Sequence, residues 1–175
     1  MPKTVEIRSL NQADDRSDFC CGQGDVDRFF EHYAGQNQFK LHLGVTYVAV
    51  ANGRILGFAT VASSALERAA VPNSRQRKRL PNYPLPVLRL ARLGVDQRAQ
   101  GVGIGKALLR HVFGLAREQR DRTGCIGVIA DAKPDAVAFY ESLGFAPLSG
   151  VREGLLVGQP LPMCLPIAVI EAGLG

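Results

Sequence analysis

The stretch Val95-Asp96-Gln97-Arg98-Ala99-Gln100-Gly101-Val102-Gly103-Ile104-Gly105-Lys106 decides how this chain reads. It leaves Val87–Val95, a β-rich and almost continuously apolar run that suits a strand covered on both faces. It enters an amphipathic run from Val102 to about Arg120, with Ile104, Ala107, Leu108, Val112 and Leu115 on one stripe. Glycines at this strand-to-helix passage let backbone amides turn inward with no Cβ in the way. The helix N-terminus adds partial positive charge, and the two together cradle a phosphate or pyrophosphate. Two common phosphate loops do not fit. A P-loop needs four residues between its first Gly and its Gly-Lys, where Gly101 and Gly105 enclose only Val102, Gly103 and Ile104, and Ala107 stands where the hydroxyl belongs. A Gly-x-Gly-x-x-Gly fingerprint fails because Gly105 falls one residue early.

Outward from this loop the chain alternates strands and helices. Thr4–Leu10 alternates as a half-buried strand does, and Asp25 is a candidate N-cap for a helix carrying Val26, Phe29, Phe30 and Tyr33. Val45–Ala51, Asn52-Gly53 and Ile55–Val61 read as strand, tight turn and strand. Leu66–Pro86 holds a short basic helix with Arg75, Arg77, Lys78 and Arg79, then a connection stiffened by Pro81, Pro84 and Pro86. Gly124 stops the long helix, and Cys125–Ala130 reads as a buried strand. A helix over Ala136–Leu143 starts behind Pro134 and ends at Gly144, and Phe145–Leu148 and Pro162–Ile170 supply final strands. Ser149–Gln159 stays unassigned. The order predicts an α/β (α+β) fold in one domain over residues 1–175, with a mixed sheet of roughly six to seven strands flanked by helices.

Composition narrows the class. Of 175 residues 46% are hydrophobic, which excludes a disordered chain. The longest apolar stretch, Leu161–Ile170, is half a membrane span and contains Pro162 and Pro166, and MPKTVEIRSL has no signal-peptide core. Cys20, Cys21, Cys125 and Cys164 form no Cys-x-x-Cys, so reduced, mostly buried thiols, no metal and a cytoplasmic location are expected. Lys plus Arg exceeds Asp plus Glu by 21 to 16, a net +5, and 16 of the 21 are Arg. Arginine's planar fork suits bidentate phosphate contact, which points to an anionic partner.

Arg98-Ala99-Gln100-Gly101-Val102-Gly103 resembles the Arg/Gln-x-x-Gly-x-Gly/Ala pyrophosphate loop of the GNAT acetyltransferases, which bind acetyl-CoA. Ala138-Phe139-Tyr140-Glu141-Ser142-Leu143-Gly144-Phe145 is similar to the same family's Phe-Tyr-x-x-x-Gly-Phe segment. Asp18-Phe19-Cys20-Cys21-Gly22, Asp27-Arg28-Phe29-Phe30 and Leu80–Val87 with Leu90–Asp96 resemble the TacT-type GNAT toxins over nearly the whole chain. The doubled Cys20-Cys21 and the long stretch Ser149–Gln159 depart from that pattern.

The resemblance implies a GNAT fold, splayed between the Val87–Val95 and Cys125–Ala130 strands, that acetylates the amino group of aminoacyl-tRNA and so blocks translation. The implied partners are the tRNA, a small antitoxin of ribbon-helix-helix type and, as this group often dimerises, a second copy of the chain. It places acetyl-CoA on Arg98, Gln100, Gly101, Val102, Gly103, Ile104, Gly105 and Lys106, with the arm and carbonyl along Leu93, Gly94 and Val95. Phe139 joins this set by its place in the motif, though on its own it reads as a core aromatic. Tyr140 is the candidate acid for the leaving thiolate, because a phenol with a pKa of about 10 is protonated at neutral pH.

No residue declares itself as a base, and His32, His42 and His111 are isolated in sequence. An α-amine, with a pKa near 7.7–8, needs a base far less than a lysine amine near 10.4. Arg75, Arg77, Lys78, Arg79, Arg89 and Arg92 are the candidates for RNA, where phosphate contacts would make binding salt-sensitive. Two rival readings stand beside this one: a GNAT acting on a small-molecule or protein amine, and a non-catalytic module that binds acetyl-CoA or an antitoxin.

Overall fold

Asn52 and Gly53 both take positive φ, +54° and +72°, the geometry a type I′ turn requires. They join β2 (Val45–Ala51) to β3 (Arg54–Leu66), which pair antiparallel from Val45↔Val61 to Ala51↔Arg54 with one irregularity at Ala49/Val50. This hairpin belongs to the computed structural model, which describes residues 4–150 and 158–174. The predicted turn holds, and β3 runs further than Val61.

The elements follow as β1 (Glu6–Ser9), α1 (Gly24–Arg28), α2 (Ala34–Phe39), β2, β3, α3 (Ser74–Arg79), β4 (Leu85–Val95), α4 (Ile104–Arg122), β5 (Gly127–Ala132), α5 (Val137–Ser142), β6 (Ala146–Pro147), β7 (Leu161–Pro166) and α6 (Ile167–Leu174). The strands form a mixed seven-stranded sheet in the order β1-β2-β3-β4-β5-β7-β6. The last strand, β7, enters between β5 and β6 and is antiparallel to both. Backbone contacts group into two units, residues 1–62 with 90–114 and residues 63–89 with 115–175.

In the first unit the core is aromatic. Phe30 and Phe58 are fully buried and stack at 4.2 Å, and Phe19 stands edge-on to both. Leu10, Val26, Ala34, Val48 and Ile55 complete the cluster. The helix predicted from Asp25 forms, but it is not α-helical throughout. Phe29–Tyr33 widens into a π-turn between α1 and α2, closed by Ala34 N–H on the Phe29 carbonyl, while Arg16 Nη1 donates to the Phe30 carbonyl at 2.9 Å. Asp25 is not its cap: the N-cap is Gln23 and no side chain caps it. Asp27 instead accepts from Cys21 N–H at 2.8 Å.

In the second unit Leu66, Val71, Leu85, Val87, Ile129 and Cys164 form the core. The strand expected over Pro162–Ile170 stops at Pro166, and Ile167–Leu174 is helix, its Glu171 paired with Arg120. The strand expected at Cys125–Ala130 starts two residues later, at Gly127, whose Cβ would meet the Leu165 carbonyl at 2.5 Å. Cys125 and Cys164 are buried, as expected, but Cys20 is exposed and Cys21 half-buried. The stretch Ser149–Gln159 lies largely outside the described residues.

Candidate active site

The glycine loop forms as its sequence demands. Gly101 and Gly103 have φ of +81° and +90°, which side chains with a Cβ rarely adopt. A Cβ on either would meet nothing within 4 Å, so glycine is there for backbone conformation and the loop opens onto free space. Ala107 N–H is the first to turn back into α4, bonding the Gly103 carbonyl at 3.0 Å. The amides of Gly103, Ile104, Gly105 and Lys106 therefore have no partner within the helix. Amides without intrahelical partners at the N-terminus of a 19-residue helix are the kind of group that binds an anion such as a pyrophosphate. Val102 caps the loop with 73% of its surface exposed.

The near side of the loop is held by a buried carboxylate that the sequence reading passed over. Asp96 is 2% exposed. It accepts from Arg98 N–H at 2.9 Å, Arg98 Nε at 2.9 Å, Arg98 Nη2 at 3.0 Å and Cys20 N–H at 3.3 Å. Its own N–H donates to the Leu56 carbonyl and its carbonyl accepts from Ala99 N–H, both at 2.8 Å. The guanidinium hydrogen-bonded to it holds its pKa down at about 2. Arg98 also donates to the Asp18 carboxylate at 3.2 Å, and its pKa rises for the same reason.

Arg98 was expected beside the pyrophosphate, and its guanidinium is instead bound by two carboxylates. Gln100, expected on the cofactor, donates its side-chain amide to the carbonyls of Val95 at 3.0 Å and Cys21 at 3.1 Å. Both side chains fasten the loop to the segment Asp18–Gly22 and to the strand end. The Asp-x-Arg spacing at 96 and 98 was the signal available for this clamp.

At that strand end Gly94 is buried against the aromatic core, where a Cβ would lie 2.9 Å from Phe58 Cε1 and 3.1 Å from Val26 Cγ1. Leu93 and Val95 on either side are half-buried. Arg92 sits 5.1 Å over the ring of Phe29, a cation–π contact.

In the second unit Tyr140 is the buried member of the Phe-Tyr pair at 6% exposure, and Phe139 is half-buried, the reverse of the core reading of Phe139. The Tyr140 ring meets Phe139 at 5.4 Å and Phe145 at 5.2 Å, both edge-on. Burial, and secondarily the Asp131 carboxylate, push its pKa up to about 12, so it does not keep the ordinary value assumed from sequence. Asp131 is itself paired with Arg89 at 2.7 Å. The helix α3 is capped by the Asn73 side chain, which accepts from Arg75 and Gln76 N–H. Arg75, Lys78 and Arg79 are exposed, whereas Arg77 turns in to donate to the Val71 carbonyl at 2.7 Å. Among the described residues no group of three or more His, Cys, Asp or Glu could hold a metal ion, and no helix is long and apolar enough to cross a membrane.

A mixed sheet whose central strand passes through a glycine loop into a long helix is the architecture of an acyl-CoA-dependent transferase. Residues 42–147 match the acetyltransferase (GNAT) domain, and the chain belongs to that family. It is 33% identical over 139 residues to a tRNA-acetylating toxin of Mycobacterium tuberculosis, covering 79% of this chain and 82% of that one. Its structure is similar to that of AtaT complexed with acetyl-methionyl-tRNAfMet, with a TM-score of 0.85, 26% identity, and 98% and 100% of the two chains covered. It is similar also to a tyrosine-to-phenylalanine mutant of the AtaT toxin bound to acetyl-CoA and the C-terminus of the antitoxin AtaR, with a TM-score of 0.76, 27% identity and 97% of each chain covered.

Proposed function

We propose that this chain is an acetyl-CoA-dependent N-acetyltransferase that acetylates the amino group of aminoacyl-tRNA, and that it acts in the cytoplasm as a toxin blocking translation. The observation that carries the cosubstrate is the open loop at Gly101 and Gly103 ahead of α4. The observation that favours the acceptor is the likeness to a toxin named for acetylating tRNA, joined to an Arg-rich chain with exposed cations on α3.

The amides from Gly101 to Lys106 bind the pyrophosphate, and those of Leu93, Gly94 and Val95 hold the pantetheine arm and the thioester carbonyl. Acetyl-CoA supplies an acetyl group activated as a thioester. The acceptor nitrogen forms the new bond to the carbonyl carbon, the carbon–sulfur bond breaks, and the Tyr140 hydroxyl gives its proton to the leaving sulfur. The acceptor nitrogen loses its proton to water, a step that the low basicity of an α-amine makes easy at neutral pH. Phe139 borders the same segment. Arg75, Lys78 and Arg79 carry the RNA phosphates. Arg92 adds to them from its seat on Phe29, whereas Arg77 and Arg89 act mainly within the protein, through the Val71 carbonyl and Asp131. A small antitoxin, of ribbon-helix-helix type, and a second copy of the chain are the proposed protein partners, and the catalytic unit is one domain over residues 1–175.

Incubation with labelled acetyl-CoA, charged tRNA, polyamines and a protein mixture tests this reading. Label in a ribonuclease-sensitive product supports it. Label only in polyamine or protein would replace it with one of the other acetyltransferase readings, and no transfer with intact acetyl-CoA binding would leave a binding module.

A further inference from the structure

We propose that Asp96 is a positioning residue for acetyl-CoA: its carboxylate ties the segment Asp18–Gly22 to the pyrophosphate loop and sets the angle at which the loop's amides meet the phosphates. This rests on the reading of Gly101–Lys106 as the pyrophosphate site. Asp96 is the residue that follows the end of strand β4, and each of its polar groups is used on one side of the loop. The backbone groups bond to Leu56 and Ala99, fixing the turn over Gln97–Ala99. The carboxylate takes Cys20 N–H from a segment 76 positions away and three donors from Arg98. Gln97 N–H donates to the Cys20 carbonyl at 2.8 Å, and Gln100 reaches the Cys21 carbonyl, so the two segments are laced at three successive points.

Every one of these bonds lies N-terminal to Gly101, and Gly101 and Gly103 have no neighbour within 4 Å of a would-be Cβ. The glycine turn is therefore free of side-chain support on its open side. Its direction is inherited from the clamp before it. Arg98, expected beside the pyrophosphate, is held by Asp96 through Nε and Nη2 and by Asp18 through the same Nη2. In this arrangement its single positive charge is shared between two carboxylates, and Asp18 has Arg54 as a second partner at 3.9 Å.

Asp96→Asn tests the role, because it keeps the shape and replaces one acceptor oxygen with a donor that faces N–H groups. The expected result is a KM for acetyl-CoA raised at least tenfold, with kcat at saturation within threefold and affinity for charged tRNA within twofold. With S-acetylpantetheine, which has the same thioester and no pyrophosphate, kcat/KM should match the unaltered protein. An equal loss with both donors, or an unchanged KM for acetyl-CoA, would overturn the role. Asp18→Asn is the second variant, exposed enough to leave folding intact, and should raise the acetyl-CoA KM two- to fourfold. A lowered KM would mean that Arg98 is a phosphate ligand restrained by Asp18, contrary to the proposal. If the unaltered protein bound no acetyl-CoA, the functional reading would fall, and the positioning role with it.

Discussion

Arg98 and Asp96 meet edge to edge: Nε donates to Oδ1 at 2.9 Å and Nη2 to Oδ2 at 3.0 Å, so a two-point pair lies between a buried acid and a half-exposed base two residues on. Such forked pairs carry geometry as well as charge. With the Asp96 pKa at about 2, against about 3.9 for a free side chain, folding is favoured by the ionised form. That contribution is complete above pH 4 and is lost as pH falls toward 2. Asp96→Asn is expected to lower stability by on the order of 2 kcal/mol at pH 7. Denaturant unfolding of the two proteins should show the gap closing between pH 4 and pH 2.

Gly101 and Gly103 make a sharper probe of the loop, because space and conformation separate there. An added methyl has room, so the cost of Gly101→Ala or Gly103→Ala is the left-handed backbone alone, about 1–2 kcal/mol. Each is expected to weaken acetyl-CoA binding by roughly 5- to 30-fold by calorimetry. Melting temperature should change little, because the free loop has no neighbours around it and relaxes out of the left-handed conformation, leaving the cost to fall on binding.

Tyr140→Phe keeps the buried ring among Phe139 and Phe145 and deletes the proposed proton donor. A rate loss of roughly a hundredfold or more is expected, with folding and acetyl-CoA affinity retained. Because burial raises the phenol's pKa to about 12, the acid stays protonated at any working pH. Initial rates should climb as the acceptor amine loses its proton, flatten near pH 8 and show no fall up to pH 9, which a pH–rate profile reads directly.

On α3 the exposed cations can be removed without touching the fold. Arg75→Gln with Lys78→Gln and Arg79→Gln should weaken charged-tRNA binding and shallow its dependence on log salt by about one unit per lost phosphate contact. The KM for acetyl-CoA should stay the same. Arg77→Gln belongs to a different class: it strands the Val71 carbonyl and should cost stability of about 1 kcal/mol.

The elements legible in the sequence are those whose cause is local. Asn52-Gly53 fixes a hairpin turn by its own backbone preferences, and the passage from Val95 to Ile104 combines a strand pattern, glycines and a helix stripe in one window. Elements set by distant contacts did not show. Ala168, Val169 and Ile170 are an apolar run too short for periodicity to separate strand from helix, and they are helix. The π-turn at Phe29–Tyr33 is satisfied in part by Arg16, which local pattern does not reveal. In the site, the motifs singled out the glycines and Tyr140 as candidates. What they could not convey was occupancy: Arg98 and Gln100 look like ligand-binding side chains, and their hydrogen bonds go to Asp96, Asp18, Val95 and Cys21. Asp96 itself reads as an ordinary loop residue until its burial is known.

The central claim, transfer of acetyl to the amino group of an amino acid esterified to tRNA, is tested most directly by the chemical identity of the product. Charged tRNA is treated with the protein and labelled acetyl-CoA, the ester is cleaved with mild base, and the released amino acid is identified by mass. The account predicts label on an N-acetylated amino acid, in an amount matching the CoA thiol released and absent with uncharged tRNA. Label retained on the tRNA after the ester is cleaved, or equal transfer to uncharged tRNA, would contradict it.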